Sequence, residues 1–143
     1  MIRVTRLHHT AIAAHDLDAM RRFYTEVIGL DAHPTKTNWL RAGNGFVVHL
    51  MPSPDAPASG RIEQHFALEV ESLRETAAAL LRQGVTPYMA SLEYETHAVT
   101  DAGDPLDFGI GTLFVADPEG NTIEFVEPDT GIFAEVPLEA QDT

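Results

Sequence analysis

The chain has 143 residues, of which 44% are apolar, and it contains no cysteine. This length and composition predict one domain with an ordinary hydrophobic core, and the lack of cysteine excludes disulfides, thiolate catalysis and cysteine-ligated metals. The formal net charge of −13 would repel phosphates, so we expect neither nucleic acid nor an anionic membrane as a partner. Since no apolar run reaches the length of a membrane-spanning helix, we expect a cytoplasmic protein.

The first part of the chain is predicted to form a strand, a helix and three further strands. Asp16 offers an N-cap for the helix, which is expected to end at Gly29. The last two strands are expected to form a hairpin around Gly43-Asn44-Gly45. From the apolar alternation, the predicted strands cover 3–13, 30–36, 38–42 and 46–51.

The same order of elements then repeats, after a linker over 52–60 that is rich in proline and small residues. Ser72 offers an N-cap for a second helix that runs to about Gln83. Residues 91–109 are irregular and acidic, and they are too long for a loop that only connects two strands of a compact domain. The predicted strands of this part cover 62–70, 85–90, 111–116 and 121–127, and an acidic tail follows over 129–143.

The chain therefore reads as two copies of one strand–helix–strand–strand–strand module within a single domain. The modules cover about 3–52 and 62–128 of a domain that spans 1–143. Polar residues repeat with them. His9 and His65 lie in the first strands, while His49 and Glu124 lie in the last strands, each four residues after a turn glycine. Because ordinary strand sequence does not call for His or Glu at these positions, the repeat indicates a shared role.

Side chains alternate between the two faces of a strand, and the more apolar face of each of these strands is expected to pack under a helix. The opposite faces then direct His9, His49, His65 and Glu124 toward a common concave surface, provided that the sheets curve around it. Imidazole and carboxylate are ligands that several divalent transition metals accept. We therefore interpret the four residues as a metal site, with open positions where a substrate oxygen meets a Lewis acid.

Each of these residues has another interpretation when it is taken alone. Glu124 would then be a solvated strand residue, and a single histidine would be a hydrogen-bonded core or surface residue. We expect His8 to face away from His9. The other two histidines of the first module are interpreted as surface residues, and these are His15 and His33.

Four stretches of the chain together resemble one known family. They are Leu7-His8-His9-Thr10-Ala11-Ile12-Ala13 with Asp16-Leu17 and Phe23-Tyr24, Gly43-Asn44-Gly45 to His49-Leu50, His65-Phe66-Ala67-Leu68-Glu69-Val70 to Gly84-Val85, and Asp117-Pro118-Glu119-Gly120-Asn121 to Glu124-Phe125. These motifs resemble the vicinal oxygen chelate superfamily, also called the glyoxalase / bleomycin resistance / extradiol dioxygenase group. The resemblance implies an α+β fold in which two βαβββ modules form a curved mixed sheet around a metal-binding cleft. It also implies His9, His49, His65 and Glu124 as ligands, and a homodimer whose sites are often built from two chains.

The resemblance leaves three functions open. The first is a divalent-metal-dependent lyase or isomerase of the glyoxalase-like type, which binds a small substrate through adjacent oxygens while Glu124 or His49 moves a proton. His49 stands where glyoxalase I typically has an acid, which argues against lactoylglutathione lyase itself. The second is an iron(II) extradiol-type ring-cleaving dioxygenase, which uses two His and one Glu. The third is a metal-free small-molecule binding or drug-resistance protein.

The sequence also leaves the metal and the substrate open. His and Glu ligands suit Fe, Mn, Ni, Co and Zn alike. The side chains expected around the site suggest a partly apolar substrate, and the residues expected to bind it are Trp39, Met51, Glu69, Tyr94 and His97. The last two belong to the long segment 91–109, where they either reach over the cavity or remain exposed.

Overall fold

The computed structural model describes residues 1–43, 45–55 and 60–134. The chain divides into two compact units. Unit 1 comprises residues 1–59 and 117–120, and unit 2 comprises residues 60–116 and 121–143. No helix in the described part of the chain is long and apolar enough to cross a membrane.

Unit 1 holds a four-stranded sheet and one helix. The strands are β1 (His9–Ala14), β2 (Asp31–Ala32), β3 (Trp39–Arg41) and β4 (Val47–Pro52), and helix α1 (Leu17–Arg22) follows β1. The strand order is β1-β4-β3-β2, with β1 parallel to β4 and the other neighbours antiparallel. Ile12, Val48 and Leu50 are buried, so one face of the sheet forms the core of the unit while the face that carries the histidines is more open.

Helix α1 begins as the sequence predicts and then changes its pitch. The Asp16 side chain accepts a hydrogen bond from the backbone N–H of Ala19, which confirms the predicted N-cap. After α1 the backbone continues as a π-helical turn over Phe23–Val27. The segment ends at Gly29, whose φ of +90° is accessible to glycine at little cost. The wider turn was not predicted, and within it the neighbouring Phe23 and Tyr24 are both buried.

The turn over 117–120 belongs to unit 1 and supports the start of α1. Both carboxylate oxygens of Glu119 accept backbone N–H groups there, from His15 at 2.8 Å and from Asp16 at 3.0 Å. The buried Tyr24 hydroxyl donates to Oδ2 of the buried Asp117 at 2.7 Å. Burial, together with the negative charge of Asp117, raises the pKa of Tyr24 above its ordinary value.

Unit 2 repeats the architecture of unit 1 with one added strand. The strands are β5 (His65–Glu69), β6 (Tyr88–Ala90), β7 (Thr96–Ala98), β8 (Leu113–Ala116) and β9 (Thr122–Val126), and helix α2 (Leu73–Arg82) follows β5. The strand order is β5-β9-β8-β6-β7. Strands β5 and β9 are parallel and the other neighbours are antiparallel. Without β7 this is the order of unit 1, so the predicted α+β fold of paired βαβββ modules is confirmed.

Both ends of α2 follow the prediction. The Ser72 hydroxyl accepts the backbone N–H of Glu75 at 3.1 Å, as an N-cap does. The Glu127 carboxylate accepts the backbone N–H of Leu73 at 2.8 Å, where the positive end of the helix dipole favours an anion. Gly84 ends the helix with a φ of +76°.

Several predicted boundaries are wrong. Residues 3–8 are not part of β1, because His9 pairs with Val47 and any earlier residue would face the turn that precedes β4. Only Asp31–Ala32 of the predicted strand 30–36 forms a strand. Residues 91–109 are not irregular throughout, since β7 pairs with β6. Residues 56–59 of the predicted linker and 135–143 of the predicted tail lie outside the described residues.

The hydrogen bond from Tyr24 to Asp117 predicts a loss of stability in Tyr24→Phe. The ring keeps its packing while a buried charged acceptor loses a donor, so the free energy of unfolding should fall by about 1.5–3 kcal/mol. Urea unfolding at neutral pH measures the change. Tyr94→Phe is the matched control, because the Tyr94 side chain is exposed, and similar values for the two variants would contradict the assignment.

The raised pKa of Tyr24 also predicts an alkaline loss of stability. Above the unfolded-state value of about 10, the unfolded chain releases the phenolic proton whereas the folded chain retains it. Folding therefore becomes less favourable as the pH rises beyond that value. Tyr24→Phe should lack this part of the pH dependence in the same urea series, and Tyr94→Phe should retain it.

Candidate functional site

The first pair of candidate ligands lies on β1 and β4 of unit 1. Ala11 is the direct partner of His49 in the parallel register, so His9 lies two residues before that partner and on the same face of the sheet. The two imidazole centroids are 6.2 Å apart. Trp39, which pairs with His49 across β3 and β4, has its ring centroid 5.0 Å from that of His9 and 4.9 Å from that of His49.

The second pair lies on β5 and β9 of unit 2 and repeats this register. Ala67 is the direct partner of Glu124, so His65 again lies two residues before the partner of the second candidate ligand. Nε2 of His65 is 3.2 Å from Oε1 of Glu124. The repeat seen in the sequence is thus also a repeat in strand pairing, and it places each histidine beside the equivalent residue of the neighbouring strand.

Glu124 is buried, so its interpretation as a solvated strand residue is wrong. The residue is only 4% exposed, and burying a carboxylate is costly unless it is paired and hydrogen-bonded. The hydroxyl of the buried Thr112 donates to Oε2 of Glu124 at 2.7 Å. This leaves Oε1 directed at His65.

The hydrogen bonds of His65 fit a position for a cation between it and Glu124. Nδ1 of His65 contacts the backbone carbonyl of Ile62, which can only accept, so Nδ1 carries the proton. In the neutral ring, Nε2 then turns a lone pair toward the carboxylate of Glu124. Nε2 of His65 and Oε1 of Glu124 would then face each other at 3.2 Å with an electron pair on each atom. A proton or a metal ion between them removes this repulsion. Metal-bound histidines commonly donate their second N–H to a carbonyl in this way.

The structure groups the candidate ligands as these two pairs. Among residues 1–43, 45–55 and 60–134, no three His, Asp or Glu side chains are grouped so that they could hold a metal ion. Each pair supplies two of the donors that the sequence predicts for one site. The donor types, two imidazoles in one pair and an imidazole with a carboxylate in the other, suit the transition metals proposed from the sequence.

The remaining histidines of unit 1 differ in part from the prediction. His8 does not turn away from His9, because their Nδ1 atoms are 2.8 Å apart and their ring centroids 5.0 Å apart. Position 8 precedes β1, so strand alternation does not govern it. His15 is exposed as predicted. His33 is half-buried, and its Nδ1 accepts two backbone N–H groups of the following turn.

The residues predicted to bind substrate lie in different surroundings. Trp39 contacts both imidazoles of the first pair. Met51 and Glu69 are exposed strand residues on the same faces as His49 and His65 respectively. Tyr94 is exposed in the turn between β6 and β7. His97 stacks on Phe108 with ring centroids 3.7 Å apart and lies 3.4 Å from Glu95, so these contacts are with its own segment.

Thr112 is a site residue that the sequence analysis missed. Phe114 pairs directly with Glu124 across β8 and β9, and Thr112 lies two residues earlier, on the same face of the extended chain. Applying the two-residue period backward from Phe114 would have identified it. The predicted strand did include residue 112, but no face was assigned to its residues.

The matching region found by sequence comparison covers both pairs. The sequence model of the Glyoxalase/Bleomycin resistance protein/Dioxygenase superfamily matches residues 6–125. The chain belongs to this superfamily. A search of the curated proteins found no match.

Solved structures with this superfamily fold include proteins of different described roles. A putative glyoxalase family protein from Bacillus anthracis is 24% identical, with a TM-score of 0.64 over 89% of this chain and 98% of that one. TnmS3, an antibiotic-binding protein from Streptomyces sp. CB03234, is 18% identical, with a TM-score of 0.59 over 90% and 99%. The oxidase ChaP-H2 is 23% identical, with a TM-score of 0.59 over 86% and 93%. At these identities the likeness shows the fold, and the superfamily contains both enzymes and binding proteins.

The hydrogen bond from Thr112 to Glu124 predicts that Thr112→Val destabilises this superfamily member. A buried carboxylate loses its hydroxyl donor while the side-chain shape is kept, so the free energy of unfolding should fall by about 1–3 kcal/mol. Urea unfolding of chelator-treated protein measures the change. Thr112→Ser retains the hydroxyl and should lose less, whereas wild-type stability in Thr112→Val would contradict the role of this bond.

Proposed function

We propose that this superfamily member is a divalent-metal-dependent enzyme of the glyoxalase-like type, a lyase or isomerase. Its substrate is a small molecule bound through two adjacent oxygens. His9, His49, His65 and Glu124 ligate one ion, which is Fe, Mn, Ni, Co or Zn. The two pairs come from one chain or from two copies in a homodimer.

The matched register of the two pairs carries this proposal. In both units the histidine of the first strand lies two residues before the partner of the second ligand, Ala11 opposite His49 and Ala67 opposite Glu124. Generic strand packing does not require polar residues at both positions of both sheets. The contact between Nε2 of His65 and Oε1 of Glu124 suits a metal ion at the second pair, and it equally suits a proton on His65.

Residues of the chain itself have distinct proposed roles around the substrate. A divalent ion bound there supplies a Lewis acid toward the two adjacent oxygens. Glu124 is one of the two proposed acid–base groups, and the Thr112 hydroxyl orients its carboxylate through Oε2. His49 serves as the second acid–base group. Trp39, in contact with both imidazoles of the first pair, limits the access of water and orients the substrate.

An iron(II) ring-cleaving dioxygenase is the second candidate function. The observation that favours it is the contact between His65 and Glu124, which with one further histidine provides the two imidazoles and one carboxylate of the facial triad. In this assignment His9 completes the triad and His49 is left as an acid–base group. A metal-free binding protein is the third candidate, and the measurement of metal content below distinguishes it.

The ligand assignment predicts the metal content of the purified protein. Protein prepared without added metal should carry close to one equivalent, and His9→Ala or Glu124→Gln should reduce this to below about a tenth, because a metal ligand is lost. Glu127→Gln is the matched control. Its side chain caps α2 at Leu73, and the glutamine oxygen can still accept that bond. Elemental analysis measures occupancy.

Two outcomes of that measurement would count against the assignment. Equal and small effects of Glu124→Gln and Glu127→Gln would show that residue 124 is not a ligand. A wild-type protein with below about a tenth of an equivalent, unchanged in His9→Ala and Glu124→Gln, would favour the metal-free binding protein.

The proposed reaction class predicts a pattern of metals and substrates. The chelated protein, reloaded with each of the five metals, should act on a thiol adduct of a 2-oxoaldehyde or on an epimerisable thioester without oxygen. Glu124→Gln should lower kcat by at least about 10²–10⁴-fold, since it removes an acid–base group and also a proposed metal ligand. A turnover assay against these compounds and a catechol tests this. Activity on the catechol alone, with strict dependence on iron and oxygen, would replace the first candidate by the second.

A further inference from the structure

A cavity beside Trp39 in unit 1 contains the only lysine of the chain. Its volume is about 420 Å³, which lies within the range of small-molecule sites, roughly 300–1,000 Å³. The lining residues are Thr35, Lys36, Thr37, Asn38, Trp39 and His49. They provide one ammonium group, two hydroxyls, an amide and two aromatic rings. None of them is a carboxylate, although the chain as a whole carries a net charge of −13.

The turn that carries Lys36 is held by hydrogen bonds that do not use the lysine side chain. Nδ1 of His33 accepts the backbone N–H of Thr35 at 3.2 Å and that of Lys36 at 3.0 Å. The Lys36 carbonyl accepts the backbone N–H of Trp39 at 2.9 Å, and the Trp39 carbonyl accepts that of His33 at 3.0 Å. The backbone at Lys36 is therefore fixed relative to the indole.

The same turn is tied to the strand that carries His49 and to α1. The Asn38 carbonyl accepts the backbone N–H of Leu50, the residue after His49, at 2.9 Å. The Asn38 side-chain oxygen accepts from Nη2 of Arg21 at 2.7 Å. The backbone of the turn is thus held in place before a ligand enters the cavity, which lowers part of the ordering cost of binding.

No ion pair within the described part of the chain accounts for the presence of Lys36. Its side chain is exposed, and it makes no ion pair with the residues of 1–43, 45–55 and 60–134. In a strongly acidic chain, an unneutralised ammonium beside an aromatic ring and hydroxyl donors is suited to an anion. One ammonium balances one negative charge, so a monoanion fits better than a dianion, which the net negative charge would repel.

We infer that this cavity binds a small planar molecule with a single carboxylate, which Lys36 recognises while the ring of the ligand packs against Trp39. The hydroxyl of Thr37 offers a further donor to the carboxylate, whereas the hydroxyl of Thr35 lies 3.3 Å from Nδ1 of His33. Because His49 closes the cavity, this inference rests on the proposed function and deepens it: the substrate carries an acidic group apart from the two oxygens that the metal would bind. Lys36 is then a specificity-determining residue.

Benzoate and benzamide, which have the same shape and differ in charge, are suitable probes. Trp39 is the only tryptophan, so quenching of its fluorescence reports binding at the cavity directly. Benzoate should bind at least about tenfold more tightly than benzamide, since a hydrogen bond to a charged group distinguishes them. Lys36→Met should abolish this preference and Lys36→Arg should retain most of it. Arg82→Met, which removes an exposed charge from α2, should leave it unchanged.

The single lysine allows a second measurement that does not depend on fluorescence. Acetylation by an N-hydroxysuccinimide ester can be followed at Lys36 by mass spectrometry of its peptide. Benzoate should slow this reaction at Lys36, and benzamide at equal concentration should not. Equal affinities of the wild type for benzoate and benzamide, or a preference for benzoate that survives in Lys36→Met, would overturn the inference.

Failure of the inference and failure of the proposed function can be told apart. Lys36→Met should bind as much metal as the wild type, because lysine is not among the proposed ligands. If the metal assignment is wrong and the anion site is right, benzoate preference should persist in chelator-treated His9→Ala and Glu124→Gln proteins. If only the anion site is wrong, the metal content should follow the ligand variants while the benzoate preference is absent.

Discussion

Parallel pairing between the first and last strands of each unit is the constraint on which the candidate site depends. It sets Ala11 opposite His49 and Ala67 opposite Glu124. Because successive side chains point to opposite faces, a slip of one residue in either ladder would move a candidate ligand into the core and an apolar residue out of it. The buried residues on the opposite faces therefore hold the register, and the register holds the ligands. The polar residues themselves contribute little to the pairing.

The second candidate ligand of each pair is buried to a different extent in the two units. His49 is half-buried beside Trp39. Glu124 at the equivalent position is buried, and its contacts with the Thr112 hydroxyl and with His65 offset part of the cost of desolvation. Each oxygen of the Glu124 carboxylate has one such contact, Oε2 with Thr112 and Oε1 with His65. This difference between equivalent positions of the two units fits the proposal that Glu124 is the first acid–base group and His49 the second.

Much of this architecture was readable from the sequence because the signals were local. Asp16 and Ser72 cap helices where they were predicted to, and the alternation of β4 identifies its buried face. The internal repeat predicted the two modules, and the resemblance to the superfamily added the expectation that their sheets curve around a cleft, which local patterns cannot give. The strand faces on which His49 and Glu124 lie were predicted from the two-residue period of side chains along a strand.

The errors have physical causes that a local pattern does not contain. The contact of His8 with His9 depends on where β1 loses its partner strand. Strand β7 has no apolar alternation and forms because β6 offers it a free edge. The burial of Glu124 depends on Thr112, which lies 12 positions away, and the prior that a lone Glu is solvated takes no account of such a partner. The position of Lys36 beside Trp39 depends on the hydrogen bonds of the turn, which a single lysine in the sequence does not reveal.

The assignment of 117–120 to unit 1 bears on the autonomy of the two halves. Asp117 and Glu119 come late in the chain, yet they bond to Tyr24 and to the start of α1. A fragment cut at the linker would leave the early half with a buried phenol and a helix terminus that lack these acidic partners. At the matching turn, four residues before His49 and thus at Gly45, the early half carries no acid of its own. The early half, produced alone, would therefore have to obtain these acidic partners in trans from the late half.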